Sequence, residues 1–130
     1  MSALDPVLDL RADKFVLVVE DDDDIRESLA DVLRDTGRNV VEACDGVDAL
    51  SKLDDLPRPC LVLLDLMMPR MDGHEFIRHL SERYSATDFP VLVISAHDAL
   101  EKTQGYPGVL GTLRKPFDVP RLLSFVEAHC

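Results

Sequence analysis

Four groups of polar residues stand directly behind short apolar runs, and their types suit phosphate chemistry. Phe15 to Val19 leads into Glu20, Asp21, Asp22, Asp23 and Asp24; Leu61 to Leu64 leads into Asp65; Val91 to Ile94 leads into Ser95; Val109 to Leu113 leads into Arg114 and Lys115. Two or three carboxylates in one crevice repel by roughly 4 kcal/mol per pair at about 4 Å and an effective dielectric near 20. Such a cluster asks for a cation. An all-oxygen donor set with room for water suits Mg²⁺, with Mn²⁺ possible, and disfavours zinc. A divalent ion there would clamp a phosphoryl oxygen beside Asp65, whose carboxylate would be the acceptor. Lys115 would hold another phosphoryl oxygen by charge, and the Ser95 hydroxyl would donate a hydrogen bond to it. Singly, each residue is commonplace: an acidic run is usually a solvated loop or a helix cap, and a lone lysine is a surface charge. Their coincidence behind four apolar runs singles them out.

The elements that must position these groups are legible in the periodicity. The four runs, with a further one from Val40 to Ala43, read as five strands. Helices alternate with them. The first carries Ile25, Leu29, Val32 and Leu33 as an apolar stripe, stops at Gly37, and has Asp23 or Asp24 as its cap, with Glu27 placed for a capping box behind Asp24. The second spans roughly Val47 to Asp54, ahead of Pro57 and Pro59. The third begins after Gly73 and buries Phe76, Ile77 and Leu80. The last has Asp118 as cap, Pro120 in its first turn, and Leu122, Leu123 and Val126 facing inward.

Strands alternating with helices specify a single-domain α/β fold, a doubly wound five-stranded parallel sheet of (βα)5 type. The runs holding Val16, Leu63 and Leu92 are apolar throughout, as a parallel strand covered on both faces must be. The run from Val40 is flanked by Asn39 and holds Glu42, and the run from Val109 holds Gly111 and Thr112, which places those two at the edges. That agrees with the doubly wound strand order 2-1-3-4-5. In such sheets ligands bind at the carboxyl ends of the strands, where the order reverses, and that is where the polar groups lie. Residues 1–13 read as an N-terminal extension and 14–130 as the domain.

Composition narrows the partners. The 130-residue chain is 46% hydrophobic, enough for one core, and its formal charge of -11 argues against direct contact with nucleic acid or an anionic membrane. Cys44, Cys60 and Cys130 are odd in number and widely spaced, so neither a disulfide framework nor a zinc site is expected, and a reducing cytoplasm fits best. The acidic, proline-interrupted start lacks the features of a signal peptide, and no stretch approaches membrane-spanning length.

The segments VLVVEDDDDIRESL, LVLLDLMMPRMDG, VLVISA and LRKPFD resemble the signature segments of response-regulator receiver domains, over about Phe15 to His129. That resemblance implies a bacterial two-component phosphorelay module with a flavodoxin-like fold. It implies that Asp65 accepts a phosphoryl group from a histidine kinase or histidine phosphotransfer protein. Glu20 and Asp21 match the acidic pair, Asp21 being the direct metal ligand. The backbone carbonyl of Met67 matches the third protein ligand, Ser95 the hydroxyl position and Lys115 the phosphate-binding lysine. A cis peptide before Pro116 and a turn through Pro69 and Gly73 are implied as well. Met67 and His97, each two residues beyond a site residue, would border the path of the water that removes the phosphoryl group.

The match departs from the family in two places. An aromatic residue or His is usual three positions before the lysine, and here it is Thr112. The segment after Ser95 is short, and Gly105, Pro107 and Gly108 break the fourth helix. Two other functions bear weighing. A haloacid-dehalogenase-like phosphatase also uses Asp and Mg²⁺ behind a parallel strand, but needs an acid where this chain has Met67. A degenerate receiver would bind partners without phosphorylation, against which stands the complete acidic, Asp, Ser and Lys set. The expectation is a signalling module that is not a turnover enzyme, acting on a downstream protein or output domain.

Overall fold

The computed structural model describes residues 14–68, 70–95, 108–116 and 118–130. The expectations for residues 1–13, for Pro69, for His97 and for the broken helix at Gly105 and Pro107 lie outside the described residues. Five parallel strands form one sheet: β1 (Phe15–Val19), β2 (Asn39–Ala43), β3 (Cys60–Asp65), β4 (Val91–Ser95) and β5 (Val109–Arg114). Their order is β2-β1-β3-β4-β5, with β2 and β5 at the edges as the apolar patterning requires. β3 is buried at every position, whereas β2 and β5 each keep exposed residues, the signature of edge strands.

Successive residues of a strand point to opposite faces, and this chain builds one core on each. Val16, Val18, Leu61, Leu63 and Leu92 meet Leu29 and Leu33 of α1 (Asp23–Arg34) and Leu122 and Val126 of α4 (Val119–His129). Leu17, Val19, Val62 and Leu64 meet Ala49 of α2 (Gly46–Lys52) and Phe76, Ile77 and Leu80 of α3 (Gly73–Arg83). Each fully buried leucine or phenylalanine is worth roughly 1.5–3 kcal/mol, so both helical layers are bound to the sheet by large apolar terms. Among the described residues no helix is long and apolar enough to cross a membrane.

Several helix boundaries need correction. α1 is capped by Asp22, whose Oδ1 accepts from the Ile25 amide at 3.0 Å, and not by Asp23 or Asp24, so Glu27 has no capping-box position. The backbone is still extended at Asp22 (φ -78°, ψ 117°) and helical from Asp23, and a cap is the last residue outside the helix. Ile25 is 38% exposed; the first turn of α1 stands off the sheet, so the buried stripe starts only at Leu29. α1 ends at Arg34, three residues before the expected stop, and Gly37 lies in the connection to β2 with φ 92°, a left-handed conformation that costs glycine little. α3 starts at Gly73 itself, with Asp72 as its cap through the Glu75 amide. The last helix is capped by Asp118 with Pro120 in its first turn, as expected, though Leu123 is only partly buried. The Lys115-Pro116 bond is cis, in accord with the resemblance, and so is Arg58-Pro59, which nothing in the sequence announced.

Candidate functional site

Strand register brings the polar groups to one end of the sheet. Val19 lies opposite Leu64, so Glu20 and Asp65 emerge from adjacent strands at the same level. Asp65 is in turn opposite Ile94, and Ser95 opposite Arg114. The Glu20 amide donates to the Ala43 carbonyl at 3.1 Å and the Lys115 amide to the Ser95 carbonyl at 2.9 Å, extending the ladders to the residues that carry the side chains.

Carboxylate oxygens of Glu20, Asp21 and Asp65 lie within 4.8 Å of one another. Glu20, Asp65 and Ser95 are buried, while Asp21 is open to solvent. Lys115 Nζ donates to Glu20 Oε1 at 3.0 Å and stands 3.6 Å from Asp65 Oδ2. Asp65 Oδ1 accepts from the Met67 amide at 3.1 Å. Burial pushes the Glu20 carboxyl above its ordinary value, and the neighbouring Asp65 carboxylate adds to the rise. Asp21 is raised for the same two reasons, burial first and then Glu20. Burial alone would lower the Lys115 ammonium; its bond to Glu20 and the charge of Asp65 outweigh that and hold it above its usual range.

Three carboxylates against one ammonium leave an excess of negative charge in a partly buried crevice. Oxygen donors this close, two of them buried, fit a hard divalent cation such as Mg²⁺ and offer no soft ligand for zinc. The sequence-derived set of Glu20, Asp21, Asp65 and Lys115 therefore assembles as one site. Ser95 ends the neighbouring strand at the same end of the sheet. Met67 borders the site through its amide, with its side chain 64% exposed. Thr112 is exposed on β5.

Two supports went unread in the sequence. Arg26 reaches from α1 to the Glu20 carbonyl, and Arg70, in the loop after β3, pairs with the buried Asp45 at 2.6 Å. Asp45 also caps α2 through the Asp48 amide at 2.8 Å, and Asp45 followed by the Gly46-Val47 start of the helix was a signal that could have been used.

Known proteins agree with this geometry. The family model described as the response regulator receiver domain matches residues 16–127. Protein PilG of Pseudomonas aeruginosa is 34% identical over 118 residues, covering 88% of this chain and 85% of PilG. Response regulator MprA of Mycobacterium sp. (strain KMS) is 43% identical over 115 residues, covering 87% of this chain. The chain spans only 49% of MprA's length. Chemotaxis protein CheY4 of Vibrio cholerae superposes with a TM-score of 0.78 at 31% identity, over 90% of this chain and 98% of CheY4. Response regulator TrrA of Thermotoga maritima, solved in complex with Mg(2+)-BeF, gives 0.78 at 26% identity, over 90% of this chain and 99% of TrrA. Sheet order, the acidic crevice at the carboxyl ends of its strands and these matches lead to one assignment: the chain belongs to the response regulator receiver domain family of two-component systems.

Proposed function

We propose that the chain is a phosphoacceptor in a two-component phosphorelay, with Asp65 receiving a phosphoryl group from a histidine kinase or histidine phosphotransfer protein. The observation that carries the reading is the closeness of Glu20, Asp21 and Asp65, within 4.8 Å, with Lys115 reaching two of them. In the transfer, a carboxylate oxygen of Asp65 forms a bond to phosphorus as the bond from phosphorus to the donor imidazole nitrogen breaks. Lys115, already beside Asp65, is placed to hold an equatorial phosphoryl oxygen, and Ser95 to donate its hydroxyl to another. Asp21, Asp65 and the Met67 carbonyl would hold Mg²⁺ (or Mn²⁺), with Glu20 beside them. A bound Mg²⁺ supplies charge neutralisation for the carboxylates and the transferring group. TrrA's complex with Mg(2+)-BeF supports this reading by family likeness. The role is that of a cytoplasmic signalling module whose phosphorylation changes binding to a downstream protein or output domain.

Acetyl phosphate or a phosphorylated kinase should label the parent chain only with Mg²⁺ present, and Asp65→Asn should abolish labelling. Equal uptake by the Asn variant would remove Asp65 from the role; a parent that never labels would leave a receiver acting through phosphorylation-independent contacts. Thr112 has no ring to swing beside Ser95, so a beryllofluoride mimic should shift amide resonances most between Met67 and Gly73. Shifts centred on β5 and α4 would show an output route that works without the aromatic residue.

A further inference from the structure

We infer that Arg26 is a positioning residue for the acidic site, holding the Glu20–Asp21 peptide in the orientation that a metal ion needs. Its side chain is 13% exposed and all three of its nitrogens are engaged by elements other than the crevice carboxylates. Nη1 donates to the Glu20 carbonyl oxygen at 3.0 Å. Nε donates to Glu42 Oε1 on β2 at 3.3 Å, and Nη2 to Asp23 Oδ1 at 2.6 Å. Glu42 is fixed in turn by its place opposite Val18 in the sheet and by Arg34, whose Nη2 reaches its Oε2 at 3.2 Å.

The consequence follows from peptide planarity. The Glu20 carbonyl shares a rigid plane with the Asp21 amide and Cα, so holding that oxygen sets the direction in which Asp21 leaves the strand. On the far side the Asp22 amide donates to Glu20 Oε2 at 3.2 Å, and the Asp22 side chain caps α1. Asp21 therefore sits between two tethered peptide groups although it is itself exposed and belongs to no strand or helix. A guanidinium is well matched to this position, because its planar fork serves three acceptors in fixed directions, which an ammonium point charge does not. Asp21 needs such support most, because burial and apolar packing do not restrain an exposed side chain.

A merely structural brace between α1 and β2 would also use Arg26, and the two roles separate by measurement. The inference rests on the metal reading proposed above. Mg²⁺ should be titrated into the full chain and followed by calorimetry and by the Asp21 and Asp22 amide resonances, alongside thermal stability without Mg²⁺. Arg26→Met is expected to weaken Mg²⁺ binding about tenfold, the lower end of what loss of an outer partner costs a metal site. Arg34→Met removes the same positive charge from α1 but leaves all three bonds of Arg26 in place, so its loss of affinity should be far smaller than that of Arg26→Met. Removing a cation should by charge alone strengthen Mg²⁺ attraction, so weaker binding in Arg26→Met alone has to come from misplacement. Should Arg26→Met fail to fold, Arg26→Lys keeps the charge but not the three-acceptor fork and should give a smaller loss in the same direction. Affinities equal to the parent's in Arg26→Met, or in Arg26→Lys where that variant stands in, would overturn the role of Arg26. A parent chain without any Mg²⁺ response would overturn the metal reading itself, and this inference with it.

Discussion

The two loops that frame the site are held in different ways. The loop after β1, Glu20 to Asp22, is fixed by polar bonds: Glu20 to Lys115, Arg26 to the Glu20 carbonyl, Asp22 to the first turn of α1. The loop after β3 is fixed largely by fit. Leu66 and Met68 are buried, the Gly73 amide donates to the Leu66 carbonyl at 2.9 Å, and the glycine lies so close that a Cβ there would stand 2.7 Å from Leu66 Cα. The ion pair of Arg70 with Asp45 lies on its outer side, with Arg70 60% exposed. Charges that face one another are placed by directional bonds; the chain leaving Asp65 is placed on a packed, largely apolar seat. The first arrangement should be sensitive to charge changes and the second to volume changes.

The largest effect is expected from volume. Gly73→Ala forces backbone at Leu66 to move, and overpacking of this kind costs about 1–3 kcal/mol, more than the roughly 0.5–1 kcal/mol alanine recovers as a helix former. Chemical denaturation should show the loss, and Asp65 labelling should slow with it. A variant as stable as the parent would show that the loop is not held by fit.

Next comes the cap of the first loop. Asp22→Ala should cost about 1 kcal/mol, as lost caps do. Asp23→Ala, which breaks only a pair with a 75% exposed carboxylate, should cost under about 0.5 kcal/mol, the range of exposed ion pairs. Equal losses would return the cap to Asp23.

The outer ion pair should show itself through pH. The Arg70 guanidinium holds the Asp45 carboxyl below its ordinary 3.8. A carboxyl depressed on folding contributes stability that is complete above its unfolded value and is lost as pH falls through the folded one. The deficit of Asp45→Asn, which keeps the cap, should therefore be constant above about pH 5 and shrink below it as the parent loses the same interaction. A deficit that persists unchanged at low pH would assign it to the cap geometry.

The smallest effect on stability is expected at Met67. With its side chain 64% exposed, Met67→Asn should stay within about 0.5 kcal/mol of the parent. The family resemblance puts this side chain at the border of the attacking water's path, so the lifetime of the phosphoryl group should change even though its formation does not. An unaltered decay rate would show that this side chain does not obstruct water.

The sequence by itself determined which strands lie at the edges of the sheet and at which end of it the site forms. A parallel strand covered on both faces has to be apolar throughout, which separated β1, β3 and β4 from the polar-flecked β2 and β5. Chemistry at the carboxyl ends of such strands picked out the run from Glu20 to Asp24, Asp65, Ser95 and Lys115 without a coordinate, and the family resemblance singled out Glu20 and Asp21 within that run. Tertiary structure alone decided which of the four aspartates after Glu20 became the cap, because that depends on where the chain leaving β1 first turns helical. It alone joined Arg26 to Glu42, 16 residues away, and Lys115 to Glu20, 95 residues away. Arginine and lysine carry no periodic signal of their partner. Their long stems can reach many acceptors, and only the packed sheet and its register leave one set of oxygens within hydrogen-bonding distance.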